Sequence, residues 1–231
     1  MQKKEVGETV SPQWLDAYGR TVYSQCEEDG ILEHLVSLVD EKTKFFVEIG
    51  SGDGTQNNTR YLAEAGWSGL WADLKPAVVK FLRVKHYQGL VTVDKINPIL
   101  DLHYVPEDFG VLSIDVDGND YWLWQAVTRS PKIVVIEYNG FIPPPESKVM
   151  PYEPEYRWPD TRYFGASLCA LHKLAVEKGY VLVGCNRGGI NAFFVRKDYA
   201  DRVTVLTPEQ AFRHMHAHCD YPDDPRQMIS I

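Results

Sequence analysis

Cysteine is scarce and scattered. Cys26, Cys169, Cys185 and Cys219 are the only four in 231 residues, and no two form a C-x-x-C pair. That spacing argues against a zinc ribbon or a dithiol redox motif. No apolar leader follows Met1-Gln2-Lys3-Lys4-Glu5, so the thiols are expected to be free and the protein cytoplasmic. No apolar run approaches the ~20 residues that cross a bilayer, so no membrane partner is expected. Basic stripes are missing too. Lys and Arg number 24 against 32 Asp and Glu, a formal charge of −8, and a nucleic acid would be repelled over most of the surface. Internal repeats are absent. The 44 % hydrophobic and 24 % charged residues are those of a globular chain, not of a fibre or a disordered tail. The length suits a single domain, 1–231, with one full core.

Ser11-Pro12 opens a short helix with Trp14, Leu15 and Tyr18 on one side. Between Glu27 and Val39, Ile31, Leu32, Leu35, Val36 and Val39 recur at helical spacing. Apolar runs of strand length follow at Phe45–Ile49, Gly69–Ala72, Leu90–Val93, Val111–Ile114 and Ile133–Ile136. Helical stretches at Thr59–Ala65, Ala77–Lys85 and Asp120–Val127 alternate with them. Continuous apolar strands alternating with helices predict an α/β fold, a doubly wound, Rossmann-like, mostly parallel sheet covered on both faces. Gly165–Lys178 reads as a further helix stopped by Gly179. Tyr180–Val183 and Ala192–Val195, joined by Asn186-Arg187-Gly188-Gly189, read as an antiparallel pair closing the sheet. Trp122 and Trp124 stand two apart, so only one of them faces the core. Residues 1–25 are expected to form an N-terminal cover. Residues 140–162 carry six of the fourteen prolines together with Phe141, Tyr152, Tyr156 and Trp158. That composition predicts an ordered lid, since disordered segments are poor in aromatics.

The most specific signal is Val47-Glu48-Ile49-Gly50-Ser51-Gly52-Asp53-Gly54, a strand running into a Gly-x-Gly-x-Gly turn. Glycines at alternate positions let backbone approach a ligand closely. Asp73 ends the next strand, 23 residues after Gly50, where a carboxylate can bond both hydroxyls of a ribose. Gly-Lys-Ser/Thr is absent and the spacing is not Gly-x-Gly-x-x-Gly, while Glu48 and Asp53 would repel a pyrophosphate. A nucleoside carrying positive charge fits better. Asp115 and Asn139, at the ends of neighbouring strands, should meet beside it. Asn119 is a candidate helix cap.

Metal motifs are weak. Asp115-x-Asp117-x-Asn119 has calcium-loop spacing, but Asp120 and Ala126 stand where such a loop needs Gly and Glu. Asp115, Asp117 and Asn139 could hold magnesium, and His214, His216, His218 and Cys219 cluster in sequence. A solvated helix explains the latter better, and no metal is expected.

The glycine turn followed by an acidic second-strand terminus resembles the class I S-adenosylmethionine-binding, methyltransferase-like enzymes over about residues 27–197. The resemblance implies that Gly50, Gly52 and Gly54 pack under the nucleoside and that Asp73 takes the ribose. It also implies that Glu48 lies near the methionyl end. Ser24-Gln25-Cys26-Glu27-Glu28-Asp29-Gly30-Ile31, Asp115–Trp122, Glu137-Tyr138-Asn139 and Tyr163–Leu168 are more particular, and are similar to the bacterial azetidine-2-carboxylate synthases. That likeness implies a lyase-type cyclisation of S-adenosylmethionine, here the substrate, with release of methylthioadenosine in secondary metabolism. Asn139 and Asp115 would then orient the amine, Tyr163 would shape the methionyl fold and Gln25 would hold the carboxylate. Tyr18, Tyr121 and Tyr163 would face the sulfonium. The alternative is S-adenosylmethionine-dependent methyl transfer to a small-molecule acceptor, and a third is ligand binding without turnover. The sequence leaves the oligomeric state open.

Overall fold

The computed structural model describes residues 14–39, 42–215 and 221–231. The expectations that rest on Met1–Glu5, Ser11-Pro12, His216, His218 and Cys219 lie outside them. After a 3-10 turn at Trp14–Ala17, the chain runs α1 (Glu28–Leu38), β1 (Phe45–Ile49), α2 (Arg60–Glu64), β2 (Ser68–Asp73) and β3 (Val84–Gln88). Then come α3 (Ile96–Leu102), β4 (Val111–Ile114), α4 (Asp120–Ala126), β5 (Ile133–Glu137), β6 (Lys148–Val149) and α5 (Leu168–Lys178). β7 (Tyr180–Cys185), β8 (Asn191–Arg196), α6 (Pro208–Ala211) and β9 (Ile229–Ser230) complete it.

Seven strands form one sheet in the order β3-β2-β1-β4-β5-β8-β7. β1 to β5 are parallel, and β8 lies antiparallel between β5 and β7. Alternate residues of each strand feed opposite faces, as strand geometry requires. Val47, Ile49, Leu112, Ile114, Val134 and Ile136 pack with the α3, α4 and α5 side chains Leu100, Trp124 and Leu171. Phe46, Trp71, Val111, Ile133 and Val135 pack with Ile31, Leu32 and Leu35 of α1 and Leu62 of α2. Trp124 is fully buried while Trp122 lies partly buried and donates its indole N–H to Met150 O. Among the described residues Cys26, Cys169 and Cys185 are free thiols, and no helix is long and apolar enough to cross a membrane.

Two elements differ from the sequence reading. Residues 77–83 form bends rather than a helix, and β3 is Val84–Gln88 rather than Leu90–Val93. β3 is an edge strand with only Val84 buried, so it reads as polar. Leu90 and Val91 are apolar because they line a cleft. α3 escapes notice because Pro98 interrupts its pattern, although proline is tolerated in a helix's first turn. α5 begins at Leu168, not Gly165: Gly165 has φ 56°, and Ser167 caps the helix by accepting from Ala170 N at 3.2 Å.

Pro154, Tyr156, Arg157 and Trp158 face the carboxyl ends of β1, β2 and β4 across a cleft. Met150, Tyr156 and Tyr163 are buried together, β6 pairs with β9 near the C-terminus, and the Arg226 guanidinium stacks 4.4 Å from the Tyr163 ring.

Candidate active site

Strand order reverses between β1 and β4, the place where open α/β sheets leave a crevice at their carboxyl ends. A cleft of about 360 Å³ lies there, floored by Gly50, Gly52, Asp73, Asp115 and Asp117. Pro154, Tyr156, Arg157 and Trp158 of the 141–162 segment form its other wall.

The glycine turn is shaped by its neighbours. Gly50, Gly52 and Gly54 all have positive φ, at 89°, 60° and 83°. A Cβ on Gly50 would stand 1.6 Å from the Asp115 carbonyl oxygen, and one on Gly54 would stand 2.8 Å from the Trp71 ring. These two positions need glycine for packing as well as for conformation. A Cβ on Gly52 would meet nothing within 4 Å, because that residue faces open space. Asp73 braces the turn: its Oδ2 accepts from Gly52 N at 2.8 Å and its Oδ1 from Lys75 N at 2.7 Å.

The second half of the floor is the turn after β4. Asp120 organises it, accepting from Val116 N and Gly118 N at 2.9 Å each, and burial pushes its own pKa up to about 7. Asp117 is held at φ 56° in this turn. A Cβ on Gly118 would meet the Tyr156 ring at 2.5 Å, so the lid packs directly onto it. Asn119, expected to cap α4, makes no such cap; it exchanges hydrogen bonds with the Glu153 backbone and so ties turn to lid. Carboxylate oxygens of Asp115, Asp117 and Glu137 all lie within 4.8 Å of one another. Burial, followed by mutual repulsion, raises the pKa of Asp115 and Glu137 well above the ordinary carboxylate range. Burial also raises that of Asp117, against the pull of Lys75.

Of the residues singled out in the sequence, the structure brings Gly50, Gly52, Asp73, Asp115, Asp117 and Asn119 together in the cleft, while Gly54, Glu48, Asn139, Tyr163, Gln25, Tyr18 and Tyr121 do not line it. Gly54 lies beneath the turn against Trp71. Glu48 does not line the cleft: it is buried and accepts from Asn57 Nδ2, Asn58 N, Thr59 N and Thr59 Oγ1, fixing the loop before α2. Burial lifts its pKa to about 7 against those four donors. Asn139 does not line the cleft. Its Nδ2 donates to Arg162 O and Phe164 O, and its Oδ1 accepts from Phe141 N, so the amide is occupied in holding the ends of the lid. Tyr163 opens instead onto a second cavity of about 880 Å³ beside Phe141 and Arg226, away from the strand ends. Gln25 is exposed outside the cleft. Tyr18 stacks on His34 at 3.4 Å, and Tyr121 is buried in the core against Trp122.

Sequence reasoning missed Lys75 and Arg157 as the cleft's cations, the apolar wall of Leu90 and Val91, and Glu137 as the partner of Asp115. The last had a signal. Ile114 pairs with Ile136 in register, so the acidic residues that follow each must be neighbours.

Strand order and crevice together define a doubly wound α/β protein whose parallel sheet is closed by an antiparallel pair. No protein-family model matches the chain, and no curated protein matches it. Among solved structures, a candidate hemolysin from Lactococcus lactis is similar with a TM-score of 0.52 at 13 % identity, over 84 % of this chain and 98 % of that one. The O-methyltransferase TomG from Streptomyces achromogenes, solved with S-adenosylmethionine, gives 0.40 at 14 % identity over 82 % and 92 %. Human N-acetylserotonin methyltransferase, also solved with S-adenosylmethionine, gives 0.41 at 13 % identity over 74 % and 56 %. The first likeness is one of fold; the other two are too distant to bear on this chain's chemistry.

Proposed function

We propose that the chain is an S-adenosylmethionine-dependent methyltransferase acting on a small-molecule acceptor. The observation that carries this reading is Asp73, a carboxylate at the end of β2 that lines the cleft beside the open face of Gly52. Each of its oxygens accepts one backbone N–H and keeps a further lone pair for a ribose hydroxyl. The apolar wall of Ala72, Leu90 and Val91 suits a purine. Asp73 and Asp117 beside Lys75 and Arg157 give the cleft both signs of charge, which suits the ammonium and the carboxylate of a methionyl group. In the transfer, an acceptor atom attacks the methyl carbon in line, the bonding pair returns to sulfur and S-adenosylhomocysteine leaves. A volume of about 360 Å³ suits a small-molecule ligand of the size of S-adenosylmethionine.

Cyclisation is disfavoured by the positions of its residues. Asn139, Tyr163 and Gln25, expected to grip the methionyl group, do not line the cleft. Incubation with S-adenosylmethionine and a panel of small hydroxylated, aminated and thiol acceptors, followed by mass spectrometry, tests the assignment. S-Adenosylhomocysteine and methylated product in equal amounts support it. Methylthioadenosine formed from S-adenosylmethionine alone overturns it in favour of cyclisation.

A further inference from the structure

We propose that residues 221–231 form a strap that holds the lid against the cleft, with Arg226 as its positioning residue. None of these residues lines the cleft, so the strap acts on a ligand only through the lid. It grips the lid at several points. Tyr221 meets Trp158 edge-on at 4.8 Å, and Pro222 O accepts from Arg162 N at 3.1 Å. Asp224 Oδ2 accepts from Thr161 Oγ1 at 3.1 Å. Ile229 and Ser230 pair with Val149 and Lys148, and Ile231 N donates to Ser147 O at 3.1 Å.

Arg226 stands at the centre. Its guanidinium donates twice to Asp224, from Nε to Oδ1 at 2.9 Å and from Nη2 to Oδ2 at 2.7 Å. That fork fixes the plane of the group, as a lysine could not. Its central carbon lies 4.4 Å from the Tyr163 ring centre and 5.5 Å from that of Tyr156, within cation–π range of both. Tyr156 carries the effect inward. Its hydroxyl donates to Tyr163 O, its ring fills the space above Gly118, and it lines the cleft beside Trp158. Gly118 belongs to the turn that bears Asp117, so Arg226 sets how closely the cleft's wall sits on its floor. The strap itself is exposed, with only Tyr221, Asp224 and Met228 partly covered. Such a segment opens locally far more readily than the sheet does. A lid that lifts more often releases its ligand faster. That consequence rests on the S-adenosylmethionine reading; the strap itself does not.

Hydrogen exchange of the ligand-free full chain, read by mass spectrometry, tests the strap. Arg226→Ala should speed exchange in residues 150–163 about tenfold, the scale of a lost cation–π stack and charged hydrogen bonds, and leave β1 and β4 as in the parent. Arg226→Lys keeps the charge without the flat fork and should fall between the two. Asp224→Asn, which weakens the same fork, should also speed lid exchange. Arg202→Ala is the control: Arg202 stacks 5.2 Å from the Tyr199 ring instead, and its loss should leave the lid unchanged. In surface plasmon resonance S-adenosylhomocysteine should leave Arg226→Ala faster by the same factor, with association no slower, a split that general destabilisation does not produce. Lid exchange as in the parent, or exchange raised equally in β1 and β4, would overturn the strap. Faster lid exchange with unchanged dissociation would overturn its hold on the ligand. If the parent binds no S-adenosylhomocysteine, the cofactor reading falls, and exchange alone decides the strap by the same outcomes.

Discussion

Replacing Asp73 with asparagine separates its two tasks. The carboxylate braces the glycine turn through Gly52 N and Lys75 N, and in the proposed complex its remaining lone pairs take the ribose. Asparagine keeps one acceptor oxygen and turns an NH₂ toward the backbone amide that donated to the other. The ribose thereby loses bonds to a charged group, worth about 1.5–3 kcal/mol, or roughly 10- to 150-fold in Kd. The displaced amide costs a further ~1 kcal/mol of stability, some 2–4 °C in Tm for a chain of this size. Calorimetric titration with S-adenosylhomocysteine reads the first effect and thermal melting the second. Asp53→Asn is the control: Asp53 lies in the same turn, but its Oδ1 is held by Thr55, and the variant keeps that acceptor. A lowered Tm with unchanged affinity at Asp73→Asn would leave the residue as a turn brace and remove the ribose role.

Asn139→Ala should destabilise the chain by about 3 kcal/mol or more, measured by urea unfolding, because it orphans the Arg162 and Phe164 carbonyls and the Phe141 amide. Intact stability with lost turnover would instead return Asn139 to the reacting end. In a chelator, stability should fall from pH 5 to pH 8. Folded Glu48 holds its proton up to about pH 7 against an ordinary value of 4.5, a gain of about 3 kcal/mol that is complete below the unfolded value and lost as pH rises through 7. Asp120, raised to about 7, and Asp115 and Glu137, raised by burial and then by mutual repulsion, act in the same direction. Urea midpoints that rise or stay level over that range would refute this.

The glycine turn, Asp73 and Asp115 were legible because strand ends at a switch point are fixed by topology, and topology follows from the order of apolar runs. Glu48, Asn139 and Tyr163 lie outside the cleft expected of them for one shared reason. A polar group near a strand end can face a ligand or satisfy loop backbone, and the donors and acceptors of residues 57–59 and 162–164 declare themselves only once the loops are folded. Tyr18 and Tyr121 show the same ambiguity among aromatics, stacking on His34 and packing in the core. β3 was displaced because an edge strand buries one face and the cleft wall beside it is the more apolar.

The central claim is that the cleft between the glycine turn and the lid holds the nucleoside of S-adenosylmethionine. A crystal structure grown with S-adenosylhomocysteine tests it most directly. The account predicts ribose hydroxyls within hydrogen-bond distance of Asp73, backbone approach at Gly50 and Gly52, and the base against Leu90 and Val91. A cleft that stays empty at saturating ligand, or a ligand seated in the cavity beside Phe141 and Arg226, would contradict it.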